Sequence, residues 1–155
     1  MPNSKNKIIK FLDKANKNTY ANKEAQKVEP SRLKSEDYHF EEGELIYHDT
    51  YFGGRDFIGE EIIYEKEKPI WGANYFGFII ENKVNEKEVY NFLRKALMKK
   101  YSSKIPVRGP KKFSQSNWTY KSNIKGDVSR FVGKEEIFLK GKIIYCCFIH
   151  GGFIN

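Results

Sequence analysis

Tyr47, Tyr51, Trp71, Tyr75, Tyr120 and Tyr145 are aromatic side chains with a polar tip, and they flank two acidic pairs, Glu60-Glu61 and Glu135-Glu136. Such rings line apolar pockets in which a few placed polar groups fix a ligand. Side chains alternate between faces along a strand, so one member of each pair is turned to the interior side. A carboxylate there is costly unless it is hydrogen-bonded or paired. Glu61 or Glu136, held inward beside tyrosines, would then receive a cationic or hydroxylated small molecule. If the strands instead begin at an exposed edge, both glutamates are solvated. Strand register decides which member faces in, and a one-residue slip reverses it.

A second chemistry stays open. His48, Asp49, Glu61 and His150 supply the groups of an acid-base set, which would make the chain a hydrolase. No zinc spacing is present, because Cys147 and His150 lack a second recognisable ligand pair. Phosphate-cradling glycine motifs, a nucleophile elbow and a kinase signature are also missing, and no metal or cofactor is expected.

A third concerns charge. Lys99, Lys100, Lys104, Arg108, Lys111 and Lys112 cluster around Pro106 and the Arg108-Gly109-Pro110 turn. Of these, Lys104, Arg108, Lys111 and Lys112 form a candidate anion-binding loop, although cations also suit a helix C-terminus and a hydrated loop. The formal charge of +8 would attract phosphate backbones, or simply keep the chain soluble. Helix-turn-helix, zinc-knuckle and RNA-recognition signatures are absent, so nucleic acid remains a partner without a motif.

The elements that must position these groups follow from periodicity. Ile8, Ile9, Phe11, Leu12 and Ala15 predict an amphipathic helix over 3–18. Residues 19–42 are polar, contain Pro30, and read as a long connection with one extended piece. Strands are predicted over 43–52, 57–64 and 69–80 as a meander. Asn85, with Glu88 three residues on, caps a second helix whose apolar face is Val89, Phe92, Leu93, Ala96 and Leu97. Residues 117–124, 127–132, 135–139 and 142–150 read as further strands, the last apolar on both faces and therefore central.

Residues 47–77 return in looser form at 120–151. Tyr47, Gly53, Phe57-Ile58-Gly59 and Glu60-Glu61 are matched to Tyr120, Gly126, Phe131-Val132-Gly133 and Glu135-Glu136. The expected fold is a single α+β domain over 1–155, with an antiparallel sheet and two main helices. Its halves, 1–81 and 82–155, would each be a helix-plus-three-strand unit from an internal duplication.

The segments YHDTYFGGRDFIGEE, PIWGANYFG, VRGP, GDVSRFVGKEEI and IHGGFI together resemble the DUF5680-like family, an uncharacterised bacterial family of domains of unknown function. The resemblance runs from about Tyr20 to Asn155. It brings no known reaction. Association of that family with helix-turn-helix regulators implies sensing or partner binding. In architecture only, twofold helix-plus-strand repeats also resemble gyrase-inhibitor-like effector-binding domains, where a central glutamate and aromatics receive cationic ligands. By that analogy the glutamate would be Glu61 or Glu136.

The two cysteines, Cys146 and Cys147, are neighbours on a strand, point to opposite faces and are expected to be free thiols of a reducing compartment. No signal-like or membrane-spanning apolar run is present. The expectation is a cytoplasmic binding or sensor-like domain that does not enter a membrane. Oligomeric state is not readable from the chain.

Overall fold

The computed structural model describes residues 2–99 and 105–155. In chain order the elements are α1 (Pro2–Asn18), β1 (Glu36–Glu42), β2 (Leu45–Gly53), β3 (Asp56–Glu65), β4 (Lys68–Ile79), α2 (Glu86–Leu97), β5 (Lys112–Gln115), β6 (Trp118–Asp127), β7 (Arg130–Leu139) and β8 (Lys142–Phe153). The strands form one eight-stranded sheet in the order β1-β2-β3-β4-β8-β7-β6-β5. Every neighbouring pair is antiparallel. The fold is α+β, as expected.

Each half is a helix followed by four strands, not three. The additional strands are β1 and β5, the two edges of the sheet. Edge strands are often short and charged because one side of their ladder faces water, which weakens their apolar alternation. β5 is only four residues long, and β1 carries Glu36, Glu41 and Glu42. The halves meet at the β4–β8 ladder, with Tyr75 opposite Ile149. β8, apolar on both faces, is central.

A further correction concerns β6 and β7. The turn between them falls at Val128-Ser129, where Asp127 Oδ1 accepts the Ser129 N–H at 2.8 Å. Gly133, expected to break a strand, continues β7. The two halves also share a turn geometry. Gly53 and Gly126 have φ of +96° and +102°, and a Cβ at either would lie 2.1 Å from a carbonyl oxygen, that of Asp56 or Arg130. Only glycine fits there.

Both helices cover one face of the sheet. α1 buries Ile8, Phe11, Leu12 and Ala15, and α2 buries Val89, Phe92, Leu93, Ala96 and Leu97, all in one core with Tyr47, Ile63, Trp71, Tyr120, Ile137 and Tyr145. Each fully buried Leu, Ile or Phe side chain contributes about 1.5–3 kcal/mol. Asn85 caps α2 by accepting the Glu88 N–H at 3.2 Å. Among the described residues no helix is long and apolar enough to cross a membrane.

Candidate ligand-binding site

Between the helix-covered face of β2–β4, the chain just after α1, and α2 lies a cavity of about 170 Å³. Its floor is set by strand alternation: Tyr47, Asp49 and Tyr51 on β2 point the same way, and Asp49 stands directly opposite Glu61 on β3. Cβ atoms of such a pair sit about 4.5–5.5 Å apart, so two carboxylates are placed side by side. Both are buried, at 3% and 4% exposure.

Asp49 has a partner. The Tyr75 hydroxyl donates to its Oδ1 at 2.6 Å. Tyr75 passes over Gly59, where a Cβ would lie 2.3 Å from that hydroxyl. Any larger residue would displace the ring. Glu61 is different: its Oε2 is buried and has no hydrogen-bond partner among the described residues.

These surroundings change proton affinity. Burial pushes the Glu61 carboxyl up to about 8 and the neighbouring Asp49 charge adds to this, while Arg108 and the Tyr47 hydroxyl act in the opposite direction. Burial likewise pushes Asp49 up to about 7 against the pull of Tyr75 and Arg108. Tyr47 and Tyr75 are driven well above the usual phenol range, first by burial and then by these carboxylates. Near neutral pH the tyrosines are therefore neutral donors, and the carboxylates hold a proton that water would remove. Two like charges at this spacing resist joint ionisation.

Tyr20 and Tyr90 add aromatic wall. Arg94 stands at 4.3 Å over the Tyr20 ring and donates from Nε to the Tyr20 carbonyl at 2.9 Å. Glu86, on the first turn of α2, is exposed and also lines the cavity.

The other half holds a second buried carboxylate, Glu135, at 0% exposure. Arg108 donates to it through Nε at 2.9 Å to Oε2 and through a second guanidinium nitrogen to Oε1. Tyr120 donates to Oε2 at 2.6 Å and Tyr145 to Oε1 at 2.8 Å. The Tyr120 hydroxyl in turn accepts the Gly109 N–H at 2.9 Å. This carboxylate is paired and fully hydrogen-bonded.

Of the residues proposed from the sequence, Tyr47, Tyr51, Glu61 and Tyr75 line the cavity. Trp71 does not: its indole N–H donates to the Val128 carbonyl at 2.8 Å and its ring stacks on Phe131. Tyr120 and Tyr145 belong to the Glu135 cluster. Glu136 lies on the opposite face of β7 from Glu135, with Lys134 at 2.9 Å, so the inward member of its pair is Glu135. Arg108 is buried against Glu135 and is not part of a solvated anion-binding loop. Lys111 and Lys112 are exposed, and Lys104 lies outside the described residues.

His48 and His150 alternate to the sheet face opposite Asp49 and Glu61. No histidine therefore joins the carboxylates. Asp49 was singled out only as an acid or base, and its place beside Glu61 follows from the β2 alternation. Tyr20, Tyr90 and Arg94 come from distant segments and carried no local signal.

A family model described as a domain of unknown function matches residues 49–154, which include Asp49, Glu61, Tyr75, Arg108 and Glu135. The chain belongs to the DUF5680 family. No curated protein and no solved structure matches it. Within this DUF5680 domain, α1 and β1 precede the matched segment.

Proposed function

We propose that this DUF5680 domain binds a small organic cation, with the charged nitrogen on Glu61 and Asp49 and the body among Tyr20, Tyr47, Tyr51 and Tyr90. The observation that carries this reading is the buried Oε2 of Glu61, a residue lining the cavity, which has no hydrogen-bond partner among the described residues. Leaving such an oxygen without a donor costs about 1–3 kcal/mol, more for a charge, and an ammonium or amidinium would recover it. Aromatic faces add cation–π attraction. Arg108, which also lines the cavity, is held by Glu135 through two guanidinium nitrogens, and its charge only partly offsets the burial that raises the proton affinity of Glu61 and Asp49. The role is that of a binding or sensor-like domain. The two free buried cysteines suit a cytoplasmic setting, and the matched halves suit an origin by duplication.

The test is a thermal-shift titration with benzylamine, benzamidine and benzyltrimethylammonium, using benzyl alcohol as the neutral control, on wild type and Glu61→Gln. A ligand of the folded state raises its apparent stability by mass action. Dose-dependent shifts for the cations, lost in E61Q, are expected. Equal shifts in wild type and E61Q would remove Glu61 from the site.

A second reading has its own observation: two adjacent carboxylates in one cavity, both with raised proton affinity, suit general acid-base chemistry. A hydrolase would use Asp49 and Glu61 without His150. Turnover of ester or glycoside substrates, abolished by Asp49→Asn, separates it from binding alone.

A further inference from the structure

On the sheet face away from the helices, His39 of β1 and His48 of β2 stand directly opposite one another. Their Nδ1 atoms are 3.3 Å apart. The other nitrogen of each ring meets a carboxylate: His39 Nε2 lies 2.7 Å from Glu41 Oε1, and His48 Nε2 lies 2.6 Å from Asp37 Oδ2. Asp37 is wholly buried. It also accepts from Ser31 at 2.6 Å, Thr50 at 2.5 Å and Ser35 at 2.5 Å.

Each Nε2 lies at hydrogen-bond distance from a carboxylate oxygen, which favours the tautomer that carries its proton on Nε2. In that tautomer the two Nδ1 atoms are both acceptors across the 3.3 Å gap. Two acceptors at hydrogen-bonding distance repel unless a cation lies between them. Two imidazole nitrogens bound to a tetrahedral metal at about 2.0–2.1 Å would be about 3.3 Å apart. Metal-binding histidines characteristically donate their second N–H to a carboxylate.

We propose that His39 and His48 form a two-nitrogen site for a divalent cation of the zinc, nickel or copper kind, oriented by Asp37 and Glu41. Imidazole suits these metals. Among the described residues no group of three or more His, Cys, Asp or Glu side chains could hold an ion, so the remaining positions are open to water or to a donor from outside the chain. The site is independent of the cavity: both histidines alternate to the other face, and both precede the family-matched segment.

The experiment is calorimetric titration of tag-free protein with zinc chloride in a non-coordinating buffer, at a pH where imidazole is neutral. Wild type is compared with His39→Ala, His39→Gln, His48→Ala, Asp37→Asn and the double variant Cys146→Ser/Cys147→Ser. His39 is exposed at the sheet edge, so its substitution leaves the fold intact, as circular dichroism would verify. One zinc per chain is expected, with affinity at least roughly tenfold weaker in either histidine variant, weakened also in D37N, and unchanged without the thiols. Absence of saturable binding would overturn the proposal, leaving the pair to share a proton. Zinc binding that persists in H39A and H48A would overturn it equally.

Discussion

Glu61 and Glu135 occupy corresponding places on β3 and β7, one opposite Asp49 and the other opposite Ser122, yet the fold treats them in contrary ways. Glu135 receives a bidentate guanidinium and two phenol hydroxyls. Glu61 faces a second carboxylate and, among the described residues, keeps an oxygen without a donor. The comparison separates a carboxylate fully tied into the core from one whose second oxygen has no donor among the described residues. A buried carboxylate is costly unless it is paired and hydrogen-bonded, a condition that Glu135 meets and Glu61 Oε2 does not among the described residues.

The largest test of this contrast is Arg108→Met, which leaves Glu135 buried without its cation. A loss of about 3–5 kcal/mol in urea denaturation is expected. A loss under 1 kcal/mol would mean that the second half is not closed in this way. Tyr75→Phe removes the donor to Asp49 and should cost about 1–3 kcal/mol.

Smaller, and opposite in sign, is Glu61→Gln. The folded Glu61 retains its proton up to about 8, against an ordinary 4.5, and Asp49 up to about 7 against 3.8. Between the unfolded and folded values the native state binds more protons than the unfolded chain. These groups' contribution is therefore fully present below the unfolded values and is lost as pH rises through about 7 to 8. In melts across that window, wild type should weaken relative to E61Q. At alkaline pH E61Q should be the more stable by about 1 kcal/mol or more, which is about 2–4 °C for a domain of this size. Glu136→Gln, on the outer face beside Lys134, should change stability by less than about 0.5 kcal/mol and leave ligand shifts untouched. An effect as large as that of Arg108→Met would exchange the roles assigned to Glu135 and Glu136.

Much of this contrast was legible in the sequence. The faces of both helices and the alternation that turns Tyr47, Asp49 and Tyr51 together follow from period alone, whereas the choice of Glu61 over Glu60 as the inward residue needed the register of β3 on β2, which sets Glu61 opposite Asp49. Glu136 was misplaced because its pair was matched to Glu60-Glu61 by type. Matched without a gap, Phe57-Ile58-Gly59-Glu60-Glu61 lies on Phe131-Val132-Gly133-Lys134-Glu135, and Glu135 becomes the inward residue. Arg108 gave no such signal. A cation in a loop after a helix reads as solvated until the fold brings a carboxylate beneath it. The His39–His48 pair was hidden for a similar reason: β1 was read as connection, and without β1 the two rings have no common ladder.

A carboxyl-¹³C NMR titration of Glu61, assigned by difference with E61Q, tests the central claim most directly. The account predicts a transition near 8 in the free protein, moved to lower pH by saturating benzyltrimethylammonium. A transition near 4.5, unmoved by the cation, would show that Glu61 is an ordinary solvated carboxylate and would contradict the account.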